Sequence, residues 1–139
     1  MATRFASLRF FIVGCALLQC STGSLATTCV LPSKRAAVSA VCGQVINTAG
    51  EPLNGVELSL TRDTDAATFT AKSDAAGRFS FRSVPKGDYT LRVAAPNYRG
   101  AMRQIRVTRG SNKPCTGRIT VTLGFDVCDT GVRVKGTDK

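Results

Sequence analysis

The chain of 139 residues contains no histidine, no tryptophan and only two tyrosines. The absence of histidine excludes catalysis by an imidazole base and any metal site that needs an imidazole ligand. The scarcity of tryptophan and tyrosine leaves few flat rings for a sugar-binding platform. The acidic residues occur singly in predicted turns, so no carboxylate pair is available for acid–base catalysis. We therefore expect a protein that is not an enzyme, with no catalytic residue, no cofactor and no metal site.

A long apolar run is also missing, because the run over residues 10–18 is far shorter than the roughly 20 residues that span a bilayer. It follows Arg4 and Arg9 and precedes residues 24–26, Ser-Leu-Ala, which offer the small residues that a signal peptidase needs at its cleavage site. This order predicts a secretory signal peptide over residues 1–26. The mature protein is then expected to be secreted or periplasmic, without a transmembrane segment.

Attachment of a lipid, as in a lipoprotein, is the alternative interpretation of the N-terminal sequence. Residues 17–20, Leu-Leu-Gln-Cys, resemble a lipobox, but glutamine is bulky where that motif takes Gly, Ala or Ser. Residues 12–15, Ile-Val-Gly-Cys, fit the motif better but leave too little apolar sequence before them. We therefore favour cleavage after about Ala26 over attachment of lipid to Cys15 or Cys20.

Cleavage at that position would leave four cysteines, namely Cys29, Cys42, Cys115 and Cys128. An even number in an exported domain predicts two structural disulfides, and zinc is not favoured without a Cys-x-x-Cys pair or a histidine. Three pairings are compatible with the sequence, which does not choose among them. We favour Cys42–Cys115 with Cys29–Cys128, because both bridges would tie the first strand region to the last. Each bridge would contribute about 4 kcal/mol in the entropic model.

Apolar and polar residues alternate in five segments after residue 30, and the 3.6-residue period of a helix is not found there. Side chains alternate between the two faces of a strand, so each segment is predicted to be a strand with one buried face. The spacing of about eight to twelve residues per strand and turn favours an antiparallel β-sandwich. The predicted buried residues are Val56, Leu58, Leu60; Phe79, Phe81; Tyr89, Leu91, Val93; Ile105, Val107; Ile119, Val121 and Leu123.

Three turn motifs lie between these segments, at residues 50–56 (GEPLNGV), 73–79 (SDAAGRF) and 84–91 (VPKGDYTL). Their order and spacing, after GQVIN at residues 43–47, resemble the carboxypeptidase regulatory-like domain. The resemblance covers residues 41–124. It implies a seven-stranded antiparallel prealbumin-like, or immunoglobulin-like, β-sandwich, related to transthyretin, to the B-type repeats of adhesins and to starch-binding-like folds.

This resemblance also implies a division of the chain and a class of function. The signal peptide (1–26) is followed by an N-terminal extension (27–40), the sandwich (41–124) and a C-terminal extension (125–139) with Cys128. In carboxypeptidases the domain lies beside the catalytic domain and lacks the zinc site, which implies a non-catalytic module. Transthyretin-like folds also include 5-hydroxyisourate hydrolase, but its chemistry uses histidines that this chain lacks.

Other polar residues that could act as nucleophiles, bases or calcium ligands are expected to have structural roles instead. The serines at positions 73, 80 and 83 have no base nearby in sequence, and neither Lys72 nor Lys86 lies in an apolar segment that would lower its pKa. Asp63, Asp65 and Asp74 lack the spacing of a calcium loop, so we expect them to cap turns.

The formal net charge is +10, and it becomes +8 if residues 1–26 with Arg4 and Arg9 are removed. Arg78, Arg82 and Arg92 are predicted to face solvent, as is Arg103, and the first three with Tyr98 form the candidate binding face. A basic exported surface attracts acidic proteins or anionic cell-envelope polymers, although it can also serve only to keep the domain soluble. Nucleic acid is not expected, because no set of aromatic residues interleaves with the arginines.

The sequence thus predicts a non-catalytic secreted or envelope module that binds a partner or has a structural role. Protein–protein or cell-envelope interaction is the leading function. A carbohydrate-binding module is the alternative, with Tyr98 as its candidate exposed ring. Aromatic rings on an exposed sheet face would favour the alternative, whereas a basic patch without them would favour the leading function.

Overall fold

The computed structural model describes residues 34–109, 115, 119–126 and 128–135. These residues form nine strands and no helix, and no helix that could cross a membrane occurs among them. The strands are β1 (Ala36–Val38), β2 (Cys42–Asn47), β3 (Glu57–Arg62), β4 (Thr68–Lys72), β5 (Arg78–Ser80), β6 (Gly87–Ala94), β7 (Ala101–Val107), β8 (Ile119–Leu123) and β9 (Gly131–Val134). The predicted all-β sandwich is confirmed, with nine strands in place of seven. The two terminal strands, β1 and β9, lie in the segments predicted as extensions.

The strands form a five-stranded sheet of order β1-β7-β6-β3-β4 and a four-stranded sheet of order β5-β2-β8-β9. Most neighbours are antiparallel, but β1 pairs with β7 and β2 with β8 in parallel. The expectation of a wholly antiparallel sandwich is therefore wrong for these two pairs. Alternation of apolar residues shows which face of a strand is buried but not the direction of the neighbour that pairs with it.

One core lies between the two sheets and contains the inward side chains of both. All the side chains predicted to be buried are buried, while Arg78, Arg82 and Arg92 are exposed. The short connection at residues 85–88, Pro-Lys-Gly-Asp, would predict that β5 and β6 are antiparallel neighbours, and this prediction is wrong. Strand β5 pairs with β2, and β6 pairs with β3 and β7. Their apolar residues lie in different sheets of the same core.

The predicted exposure of Arg103 is also wrong. On β7 this arginine shares the inward face with Ala101 and Ile105, which are two residues away on either side, so its side chain points inward and is only 6% exposed. Its Nη1 atom donates a hydrogen bond to the backbone oxygen of Val132, at 3.2 Å. A buried guanidinium needs such acceptors, and β9 supplies this one.

The predicted bridge between Cys42 and Cys115 is confirmed, with 5.9 Å between the two Cα atoms. It joins the start of β2 to the segment before β8, two strands that pair in parallel. The close approach of β2 and β8 requires glycine at position 43, because a Cβ atom there would lie 1.7 Å from the backbone oxygen of Ile119. Cys128 is also in a disulfide. Its predicted partner, Cys29, and the predicted signal peptide lie outside the described residues.

Every odd-numbered strand runs toward one end of the sandwich, and every even-numbered strand runs away from it. We call this end, where β3 turns into β4 and β5 connects to β6, the upper end. The opposite, lower end contains the connections from β2 to β3, β4 to β5, β6 to β7 and β8 to β9. This geometry decides where the charged connections lie.

Candidate functional site

The four residues of the predicted binding face do not lie together. Arg78 projects from β5 on the outward face of the four-stranded sheet, whereas Arg92 projects from β6 on the outward face of the five-stranded sheet. These faces lie on opposite sides of the core. Arg82 follows β5 at the upper end, and Tyr98 lies in the connection from β6 to β7 at the lower end. No single ligand surface is formed by this set.

The carboxylates at the upper end are held by arginines. Asp88 accepts hydrogen bonds from Nε and Nη2 of Arg106, at 2.7 and 3.2 Å, and Nη1 of Arg35 lies 2.5 Å from it. Asp63 lies 3.4 Å from Nη2 of Arg35 and accepts a hydrogen bond from the Thr90 hydroxyl, at 3.0 Å. Arg35 therefore bridges two carboxylates, and both negative charges are balanced locally.

Arg62 balances the third carboxylate of this end and also anchors the core. Its Nη1 atom lies 3.0 Å from Asp65, which accepts a hydrogen bond from the backbone N–H of Ala67. Its Nε atom donates to the hydroxyl of Tyr89 at 3.1 Å, and that hydroxyl donates to the backbone oxygen of Pro85 at 2.9 Å. The hydrogen bond to Ala67, with the charge of Arg62, holds the pKa of Asp65 below its usual range. This carboxylate thus acts as the predicted turn cap.

Among the described residues, four further cations lie at the upper end, and we call this group of four the basic end. Arg82 and Lys86 lie between β5 and β6, Arg109 follows β7, and Lys135 follows β9. All four are exposed, and none forms an ion pair with another residue of the described ranges. The acids of this end that the structure describes are already paired, so the charge of the four cations can act on a ligand.

The lower end carries unpaired charges of both signs. Glu51 and Asp129 are exposed there without a basic partner among the described residues, and Arg99 is exposed there without an acidic one. Ion pairs of this end include Lys72 with Glu57 and Arg78 with Asp74, each at 3.3 Å. Among the described residues, the upper end therefore carries unpaired charge of one sign only, whereas the unpaired carboxylates lie at the lower end together with Arg99.

The remaining candidate groups have structural roles. Asp74 accepts hydrogen bonds from the backbone N–H groups of Ala76 and Arg78, at 2.9 and 2.8 Å, in a turn where Gly77 has a φ of 71°. The buried Ser73 hydroxyl donates to the backbone oxygen of Leu53 at 2.6 Å and accepts from the N–H of Val56. Within the described ranges, no group of three or more potential metal ligands is formed.

Tyr98 is half-buried and stacks on Phe125, with 5.3 Å between ring centroids and 13° between planes. The backbone N–H of Arg99 donates to the oxygen of Gly124 at 2.9 Å, which joins the two connections at the lower end. Phe125 is 76% exposed and was missed by sequence reasoning. Its signal was an aromatic residue that directly follows a glycine after the last alternating strand. The outward faces of both sheets carry no aromatic ring among the residues that the structure describes.

The ion pairs of Asp88 should make the free energy of unfolding depend on pH. The hydrogen bonds from Arg106, helped by the charge of Arg35, hold the pKa of Asp88 below its usual range. A carboxyl with a lowered folded pKa stabilises the fold above its unfolded pKa of about 3.9, and the contribution is lost as pH falls through the folded value. We expect Asp88→Asn to lower the melting temperature at pH 7 and to differ less from the wild type at about pH 2.

Asp129→Asn is the matched control for this experiment, because Asp129 forms no ion pair with a described residue. It should change the melting temperature little at either pH. A deficit of Asp88→Asn that was the same at both pH values would show that the ion pairs do not stabilise the fold.

Comparison with known proteins gives one family. A sequence model of the carboxypeptidase regulatory-like domain matches residues 40–124. The match contains β2 to β8, and it therefore spans both sheets. A search of curated proteins found no match to this chain.

Proposed function

Since the chain belongs to the carboxypeptidase regulatory-like domain family, whose domain is a non-catalytic immunoglobulin-like module, we propose that it is an exported binding module for an anionic polymer of the cell envelope. The basic end, formed by Arg82, Lys86, Arg109 and Lys135, is the surface that we assign to this ligand. Export is supported by the predicted signal peptide over residues 1–26 and by the disulfide between Cys42 and Cys115, which suits an oxidising compartment.

The observation that carries the proposal is the cluster of four unpaired cations at an end of the sandwich where every described acid is already paired. At physiological ionic strength, charges act over about 8 Å, which is shorter than the length of β6 or β7 at about 3.3 Å per residue. A polyanion near the upper end therefore meets the basic end without strong repulsion from Glu51 or Asp129. Arg82 and Arg109 can each offer two parallel N–H groups to a phosphate or sulfate.

A carbohydrate-binding module remains the second candidate because of the stacked pair of Tyr98 and Phe125. Phe125 presents one ring face to solvent, and such a face can pack on a sugar ring. The pair lies at the lower end, away from the basic end. The two functions can therefore be separated by the charge of the probe and by the position of the variants.

Binding to immobilised dextran sulfate, with neutral dextran as the reference, tests the proposal. We expect the protein to bind the sulfated polymer and not the neutral one. A triple variant, Arg82→Ser, Lys86→Ser and Arg109→Ser, should bind about tenfold more weakly, because each exposed ion pair contributes up to about 1 kcal/mol. Its melting temperature should change little, since the three side chains are exposed and unpaired among the described residues.

The matched control is Arg92→Ser, Arg99→Ser and Arg133→Ser, which removes the same charge from exposed positions outside the basic end. It should weaken binding about twofold or less, through the smaller net charge alone. Equal losses in the two triple variants would contradict a localised site. Equal binding to neutral and sulfated dextran would instead support the carbohydrate alternative.

A further inference from the structure

Strand β4 has one edge that no other strand of the described residues pairs with. It lies at the end of the five-stranded sheet and pairs only with β3 among the described strands. The backbone N–H of Arg62 donates to the oxygen of Ala67, and the N–H of Ser73 donates to the oxygen of Val56. These two bonds show which residues of β4 are hydrogen-bonded to β3. In an antiparallel pair the bonded residues alternate, so Phe69 and Ala71 bond to β3. The N–H and C=O groups of Thr68, Thr70 and Lys72 point the other way, toward the free edge.

This edge lacks the features that usually protect an edge strand. The other edge strands, β1, β5 and β9, have three, three and four residues, whereas β4 has five. Its sequence, Thr-Phe-Thr-Ala-Lys, contains no proline or glycine and is rich in β-branched residues. The single charge, Lys72, is at one end and pairs with Glu57 at 3.3 Å. Such an edge is a template for another strand.

We propose that the occupant of this edge is β4 of a second copy of the chain, paired antiparallel with Thr70 on the two-fold axis. This register pairs all five residues and places Lys72 of each copy opposite Thr68 of the other. Phe69 then faces Ala71, a large residue against a small one. Both are half-buried and pack on the core cluster. A register centred on Lys72 would instead place two like charges opposite each other.

The positions of the unpaired charges favour the same arrangement. Antiparallel copies place the basic end of one copy at the same pole of the dimer as the lower end of the other, which carries Glu51 and Asp129. The opposite charges are therefore brought closer, and the two basic ends lie at opposite poles. A five-residue strand pair covers less surface than the roughly 1,600 Å² of a standard interface. We accordingly expect a weak dimer whose population rises with protein concentration.

The proposed pairing also joins two grooves. Each copy has an open groove of about 500 Å³ on the outward face of the five-stranded sheet. Its lining includes Ser59, Arg92 and the edge residues Thr70 and Lys72. In the dimer the two grooves lie side by side across the axis, because Thr70 of each copy is at the junction.

Sedimentation equilibrium over a hundredfold range of concentration tests the proposal. The wild type should shift from monomer toward dimer, whereas Thr70→Pro should remain monomeric. Proline at this position removes an N–H that faces the free edge and leaves the bonds to β3 intact, as proline does on edge strands. Circular dichroism of Thr70→Pro checks that the fold is retained.

Two opposite charges at position 68 test the register. Thr68→Glu should raise the dimer association constant and Thr68→Lys should lower it, each by about three- to tenfold. The reason is that residue 68 of each copy lies opposite Lys72 of the other, so the new charge acts twice per dimer. A wild type that is monomeric throughout, or the same effect from both substitutions, would overturn the proposal.

A cysteine at the axis gives a covalent readout. Residues in a hydrogen-bonded antiparallel pair have Cα atoms about 5.5 Å apart, which suits a disulfide. Thr70→Cys should form a disulfide-linked dimer under mild oxidation. Thr64→Cys, in the exposed turn between β3 and β4, is the control that should not. Equal cross-linking of the two variants would mean that contact is random.

Discussion

Replacing Cys42 and Cys115 together with alanine should lower the free energy of unfolding by about 4 kcal/mol. The bridge closes a loop of 73 residues in sequence separation and ties the start of β2 to the segment before β8. Without it the unfolded chain gains conformational entropy, while the parallel pairing of β2 with β8 has to be held by the core alone. Urea unfolding followed by circular dichroism gives the difference directly.

Ser80→Ala is the control for the disulfide variant, because Ser80 is an exposed residue that pairs with Cys42 across β5 and β2. It should cost under about 0.5 kcal/mol, as substitutions at exposed positions usually do. A loss below about 1 kcal/mol in the double cysteine variant would show that the bridge is not a major source of stability.

Phe81→Ala should cost about 3–5 kcal/mol, because it leaves a cavity in the core between the sheets. Phe81 is 3% exposed and meets Phe79 edge to face, with 6.2 Å between centroids. The backbone bond from its N–H to Val41 is kept, so the loss reports side-chain packing. Arg82→Ala, one residue along the chain and exposed, should cost under about 0.5 kcal/mol. Similar losses in the two variants would contradict the inward position of Phe81.

The sequence predicted the buried face of each strand because alternation is a local property. Phe81 and Leu91 were placed correctly although they belong to different sheets, since an inward residue of either sheet points into the same core. Arg103 was misplaced because its charge was given more weight than its position in phase with Ile105. Alternation alone would have placed it inward, where β9, a strand that was not predicted, supplies its acceptor.

The candidate site was harder to predict, because it depends on how the two sheets are assembled. Arg78 and Arg92 are both outward in their strands, but they are on opposite sides of the sandwich. The basic end appears only when strand directions are known, since Arg82 and Lys135 come from connections far apart in sequence. The pairing of Asp63 and Asp88 with Arg35, which leaves this end positive, joins residues from three strands or turns.

The salt dependence of binding to dextran sulfate tests the central claim most directly. Cations that contact a polyanion release counterions, so the logarithm of the binding constant falls with the logarithm of salt concentration in proportion to the contacts made. We expect a steep slope for the wild type and for the triple variant at Arg92, Arg99 and Arg133. The triple variant at Arg82, Lys86 and Arg109 should have a slope smaller by about two to three. Identical slopes for the two triple variants would contradict a basic end that binds the anionic ligand.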